Sequence, residues 1–236
     1  MVMRIFIGWD SRFPEPAQVL AHTFREHSSS PLDIRFLDYR HLHDCYGFTR
    51  APDPTASTEF SFSRFLVPYL CDYDGTALFV DNDCICCGDV AELFNLPMNG
   101  LAVRVVAHDY TPTQATKFGA SGTPQAVYPR KNWSSVMLMN CSELDMWTPE
   151  VVGTAPGARL HRFEDLHDRE IGRLPAEWNV LTTPTRNMKL LHYTEGGPWF
   201  EGCENCPGAE LWREARRDYR ESIGADPNTP VTLLRL

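Results

Sequence analysis

The tetrapeptide Ala77-Leu78-Phe79-Val80 is apolar at every position and runs directly into Asp81-Asn82-Asp83. A strand with one wet face alternates apolar and polar residues. An unbroken apolar run is expected where both faces are covered. The chain is thereby restricted to folds that hold a sheet between two layers. The N-terminus narrows the choice further. Residues 3–8 (MRIFIG) read as a buried strand ending on Gly8, and Ala17, Leu20, Ala21 and Phe24 follow at helical spacing, opened by Pro14 and Pro16. Residues 32–37 alternate as a second strand. Strand–helix–strand order is the mark of a parallel α/β sheet.

Residues 101–107 (LAVRVVA), 133–140 (WSSVMLMN) and 190–193 (LLHY) read as further strands, and 59–70 (EFSFSRFLVPYL) as a helix. Residues 40–57 read as a polar loop. Residues 109–130, with four threonines, three prolines and two glycines, read as a long loop of the kind that often carries function. At 208–223, Leu211, Trp212, Ala215, Tyr219 and Ile223 share one helical face, stopped by Gly224. There is no internal repeat and no separating linker. The expectation is one α/β domain over 1–236, with a central mixed, mostly parallel sheet flanked by helices and a helical tail at about 208–236.

A formal net charge of −9 argues against nucleic acid as a partner, because phosphate binding needs clustered Lys and Arg. The opening MVMRIFIGWD is too short for a signal peptide, and nothing approaches the roughly 18 unbroken apolar residues of a membrane span. A soluble cytoplasmic protein is expected, with its eight cysteines mostly reduced. Oligomeric state is not legible.

Residues two apart on a strand point to the same side, so Asp81 and Asp83 can both face the crevice at the strand's C-terminal end. Two such carboxylates repel unless a cation lies between them. Mg²⁺ and Mn²⁺ favour oxygen ligands and keep positions open for phosphate oxygens. A solvated turn or a helix cap is the plainer reading of the same three residues. Arg64 in FSFSRFLVPYL, KNWSSVMLMN at 131–140 and LHYTEGGPWF at 191–200 complete an ordered set.

With this set, residues 3–200 resemble nucleotide-sugar glycosyltransferases of the GT-A fold, in particular glycosyltransferase family 8 and its bacterial relatives. The resemblance implies transfer of a hexosyl unit from a UDP-sugar to a hydroxyl of a glycan-type acceptor, with Mn²⁺ or Mg²⁺ as cofactor and retention at the anomeric carbon. It implies metal ligation by Asp81, Asp83 and His192. It places Gly8, Trp9 and Asp10 near the base and ribose. Arg64, Asn82, Gln125, Ser134 and Ser135 fall near the donor sugar, and Trp178 and Asn179 near the reaction centre. The family's diphosphate-binding lysine is missing from HYTEGGPW. Lys131 and Lys117 are the replacement candidates, helped by the backbone at Gly196 and Gly197. For the residue beside the anomeric carbon, HRFEDLHDREIG offers Glu164, Asp165 and Asp168, with Asp165 preferred. His108 and Asp109 resemble a position lining the sugar or acceptor pocket.

Two rival readings remain. Cys84, Cys86 and Cys87 with Cys203 and Cys206 offer enough thiols for a zinc-binding interaction module, although Cys84 and Cys86 should face away from Cys87 on a strand. The same aspartates also suit a metal-dependent phosphohydrolase.

Overall fold

The computed structural model describes residues 2–53, 56–109 and 129–234. Its larger sheet has six strands in the order β2-β1-β3-β6-β5-β7. These are β1 (Met3–Gly8), β2 (Leu32–Leu37), β3 (Thr76–Val80), β5 (Val103–Val105), β6 (Val136–Asn140) and β7 (Ile171–Arg173). β6 alone runs against the rest, pairing antiparallel with β3 and β5. A second sheet sets β4 (Cys84–Cys86) and β8 (Val180–Leu181) on either side of β9 (Leu190–His192).

Alternation along the central strands feeds two cores. Phe6, Phe79 and Met137 enter the core on one face, and Ile5, Ile7, Leu78 and Leu138 the core on the other. The unbroken apolar run at 77–80 therefore reflects cover on both sides. Helix α1 (Glu15–His27) covers one face through Ala17, Leu20, Ala21 and Phe24. The other face is covered by Phe65, Leu66, Trp147, Val152, Leu160 and Phe163. These come from the 3₁₀ turn Ser63–Leu66 with α3 (Val67–Leu70), and from the segment holding α5 (Pro149–Thr154) and α6 (Gly157–His161). The short helix α4 (Ala91–Phe94) follows β4. A third core joins the small sheet to α7 (Ala209–Ser222) through Ile85, Leu191, Trp199 and Trp212. Arg216 and Arg220 of α7 both pair with Glu15 of α1, at 2.9 and 3.2 Å.

Several expectations need correction. The segment 40–57 is not all loop: α2 (Tyr39–Tyr46) lies in it, opened by the Asp38 side chain accepting from the Arg40 N–H and closed by Gly47 at φ +65°. Only Leu42 of this helix is buried, so the apolar period that would betray it is missing. The expected helix at 59–70 is a 3₁₀ turn running into the short α3, and the strand expected at 133–140 begins only at Val136. Ile223 follows the last turn of α7 and is exposed rather than packed.

Candidate active site

The reversed direction of β6 builds the site. Val80 pairs with Val136, so the start of β6, preceded by Ser134 and Ser135, lies beside the end of β3. The Asp81 N–H donates to the Ser135 carbonyl at 2.9 Å. On the other side Cys84 pairs with His192, and the Tyr193 N–H donates to the Asp83 carbonyl at 2.8 Å. Two ladders thus converge on Asp81-Asn82-Asp83 beneath a cleft of about 400 Å³. Of the expected residues, Arg64, Asp81, Asn82 and Asp83 line it, as do Lys131, Ser134, Ser135, His192 and Gly196.

A hydrogen-bond relay sets the His192 tautomer. The Ser135 hydroxyl donates to the Asn132 carbonyl at 2.6 Å and accepts from Asn179 Nδ2 at 2.9 Å. The Asn179 carbonyl oxygen then faces His192 Nδ1 at 3.1 Å and accepts its proton. His192 Nε2 is left pointing at Asp83 Oδ1, 3.2 Å away. Burial opposes charge on both groups. Their attraction outweighs it, raising the His192 pKa and lowering that of Asp83. Arg64, itself buried, lies 2.8 Å from Asp81 Oδ1 and donates to the Ser134 carbonyl at 2.9 Å. Burial pushes the Asp81 carboxyl up to about 6, against the pull of Arg64.

These residues fit a divalent cation. Among the described residues, Oδ1 of Asp81 and of Asp83 are both buried without an aligned hydrogen-bond donor. An imidazole Nε2 beside carboxylates fits Mn²⁺ better than Mg²⁺, and Asn179 holds the ring as an outer partner of a metal-bound histidine does. Asp81 is the loose member. Among the described residues, the three whose ligand atoms all lie within 4.8 Å of one another are Asp83, Cys84 and His192. Asp81 must turn from Arg64 to join them.

Two measurable consequences arise here. Metal binding displaces the proton that burial favours on Asp81 and any proton on His192, so it strengthens as pH rises. Calorimetric Mn²⁺ affinity is expected to climb from about pH 5 to about pH 8, with the Asp81 contribution centred near the value of about 6. Asn179→Leu strips the partner from His192 Nδ1 and is expected to weaken Mn²⁺ binding ~10–100-fold in a paramagnetic-resonance titration. An unchanged affinity would exclude the relay as the element that aims His192.

Other expected residues lie elsewhere. Gly8 does not line the cleft. A Cβ there would sit 2.3 Å from the Phe60 ring, so its smallness lets Phe60 form the wall. Trp9 packs on Phe36 with centroids 5.0 Å apart, and Asp10 is fully buried with both carboxylate oxygens bonded to Arg12. Trp178 is buried in the core on the α1 side of the sheet, with only its neighbour Asn179 reaching the relay. Gly196 lines the cleft but its N–H is taken by the Tyr193 carbonyl at 2.9 Å, and Gly197, off the cleft, leaves room for the Trp199 ring. Neither Asp165 nor Asp168 lines the cleft. Asp165 pairs with Arg159 at 2.7 Å, and Asp168 is exposed and paired with Arg130; Glu164 is exposed as well. His108, held neutral by burial with its pKa down at about 4, interacts with His192 but does not line the cleft, and Asp109 is exposed. Gln125 and Lys117 fall outside the described residues.

The segment that failed to supply Asp165 supplies His161 instead. α6 brings it into the cleft with Nδ1 2.9 Å from the Ser134 hydroxyl, and its ring packs on Phe65 and Phe62 with centroids 5.3 and 5.9 Å away. No spacing in GARLHRF signals this role. The zinc-module grouping is not assembled. Cys84 and Cys86 lie in the core on the α1 side, whereas Cys87, Cys203 and Cys206 pack against the core under α7. Burial holds the Cys86 thiol near about 12, where it stays protonated and donates to the Gly88 carbonyl. All eight cysteines are free.

No family model matches the chain. A curated relative, Protein CDI of Arabidopsis thaliana, is 43% identical over 228 residues, covering 92% of this chain and 87% of the relative. Among solved structures, the WbbM bifunctional glycosyltransferase superposes with a TM-score of 0.62 at 15% identity over 91% of this chain. GlyE of Streptococcus pneumoniae TIGR4 gives 0.57 at 16% identity over 91%. The galactosyltransferase LgtC, solved with donor and acceptor sugar analogs, gives 0.57 at 13% identity over 90% of this chain and 95% of its own. The chain spans 49% of the WbbM chain and 60% of the GlyE chain. These likenesses assign it the GT-A fold. Among the described residues no helix is long and apolar enough to cross a membrane.

Proposed function

The chain belongs to the family of Arabidopsis Protein CDI, and we propose that it is a GT-A glycosyltransferase that moves a hexosyl unit from a UDP-sugar to an acceptor hydroxyl, with retention at the anomeric carbon. One observation carries the reading. Asp81, Asp83 and His192 all line one cleft beyond the C-terminal end of β3, walled by Ser134, Ser135 and Lys131. Ligands bind beyond such strand ends in α/β folds.

Asp81, Asp83 and His192 would hold Mn²⁺ or Mg²⁺, which when bound would offer positive charge to a diphosphate. The chain's own groups do the rest. Arg64 spans Asp81 and the Ser134 carbonyl, so it ties the metal edge of the cleft to the sugar edge. Lys131, buried at 7% exposure on the cleft wall, stands in for the diphosphate lysine that HYTEGGPW lacks. The Ser134 hydroxyl, oriented by His161, meets a donor-sugar hydroxyl. Asn82 lines the cleft with a buried Nδ2 that has no hydrogen-bond partner among the described residues, which suits it to a ligand oxygen. The acceptor is a glycan-type hydroxyl compound.

The test is calorimetric titration of UDP into EDTA-treated protein, with and without Mn²⁺. Binding that requires Mn²⁺ is expected, followed by hydrolysis or transfer of one UDP-sugar in a donor screen. Folded protein that binds no UDP under either condition would sink the reading. Turnover of simple phosphate esters without an acceptor would favour the phosphohydrolase.

A further inference from the structure

Cys84 is the least expected member of the cluster. It follows Asp83 directly and stands opposite His192 in the antiparallel ladder, so the two side chains project to the same side. Its Sγ, a carboxylate oxygen of Asp83 and an imidazole nitrogen of His192 lie within 4.8 Å of one another. The relay through Asn179 leaves Nε2 as the ligating nitrogen. Asp81, by contrast, is held by Arg64 at 2.8 Å. The protein as it stands therefore presents one oxygen, one nitrogen and one sulfur at closer range than two oxygens and one nitrogen.

Sulfur changes which ions the site prefers. Thiolate ligands select soft and borderline ions such as Zn²⁺ and Cd²⁺, whereas carboxylates suit Mg²⁺ and Mn²⁺. Zinc binds three protein ligands with a fourth position left open as readily as it binds four. We propose that Asp83, Cys84 and His192 form a zinc site that overlaps the Mn²⁺ site, shares Asp83 and His192 with it, and exchanges Asp81 for Cys84. Binding releases the thiol proton to solvent and forms a sulfur–zinc bond, with no change in oxidation state. Zinc at this position leaves Asp81 on Arg64 and excludes Mn²⁺. The protein then carries a built-in zinc inhibition: rising free zinc removes the ion that the diphosphate needs. The zinc site stands on its own geometry. Only the inhibition rests on the glycosyltransferase reading.

Co²⁺ is the probe, because a cobalt–thiolate bond gives an intense near-ultraviolet charge-transfer band that oxygen and nitrogen ligands do not. The EDTA-treated full chain is titrated with Co²⁺ and then with Zn²⁺. The expected result is a near-ultraviolet band that Zn²⁺ abolishes, and that is missing in Cys84→Ala and in His192→Gln. In Cys84→Ala, zinc affinity should fall by at least the ~10–100-fold that loss of a mere outer partner costs, with Mn²⁺ affinity moved far less. Cys84 is 1% exposed, so its removal also tests packing. His192→Gln keeps the thiol and provides the second variant. Should neither variant fold, the shift of bound ¹¹³Cd in the unaltered protein reports directly whether a sulfur is ligated. A cobalt complex with no charge-transfer band, a cadmium shift typical of oxygen and nitrogen ligands, or a band that survives in both variants overturns the proposal. The last outcome moves the ion to other cysteines. Mn²⁺-dependent UDP binding measured on the same samples separates this failure from failure of the glycosyltransferase reading.

Discussion

On the proposed function, Asp83→Asn is expected to abolish Mn²⁺-dependent UDP binding at accessible concentrations and to lower sugar transfer by at least ~100-fold. The metal is expected to stabilise the departing diphosphate by several kcal/mol, and each 1.36 kcal/mol is about tenfold in rate. Asp83 is the hinge of that effect. It is a carboxylate at the strand end, and its Oδ1 lies 3.2 Å from His192 Nε2. Asparagine keeps the shape and offers one neutral oxygen, so the site loses the charge that offsets the cation. The same change removes the anion that raises the pKa of His192. The readouts are calorimetric UDP affinity with and without Mn²⁺, initial transfer rate and thermal melting. A variant that melts normally and still needs Mn²⁺ to bind UDP would take Asp83 out of the metal site.

Trp147→Ala is expected to cost about 3–5 kcal/mol of stability, which for a chain of this size lowers Tm by about 10 °C. Trp147 is fully buried, lies edge-on to Phe65 with centroids 5.0 Å apart, and stacks on Phe163 at 6.2 Å. Its indole N–H is buried without a hydrogen-bond partner, so Trp147→Phe discards that cost and loses less. The consequence reaches the cleft, because Phe65 also carries the His161 ring. Trp147→Ala should therefore weaken recognition of the donor sugar more than of UDP alone. Differential scanning calorimetry and paired UDP and UDP-sugar titrations decide this. A loss below about 1 kcal/mol would show that the aromatic stack does not hold this wall.

The central strands were legible because they depend on local periodicity: an apolar run without alternation needs cover on both faces. Asp81 and Asp83 reach the cleft by another route than the strand period, since residues 81–83 form the turn between β3 and β4 and Asn82 lines the cleft with them. Ser134 and Ser135 came from the family resemblance of KNWSSVML, not from any local pattern, and both line the cleft. Asp165 and Asp168 lie off the cleft, which composition could not show, because acidic content in 164–168 is the same whichever way the segment turns. The packing of Leu160 and Phe163 into the core orients α6 so that His161, and not these carboxylates, lines the cleft. Trp178 lies in the core for the same reason, since an aromatic beside a site and an aromatic in a core have one sequence signature.

From local pattern alone, then, came a sheet covered on both faces and a pair of carboxylates just past the end of a buried strand; His192 and the serine pair came from the resemblance. Their meeting was decided by the tertiary structure. Cys84 opposite His192 and Val80 opposite Val136 are register choices between segments far apart in the chain. Register is set by which faces must be buried together, which no local window contains. The thiol beside the metal ligands and the imidazole beside Ser134 exist only once that burial is complete.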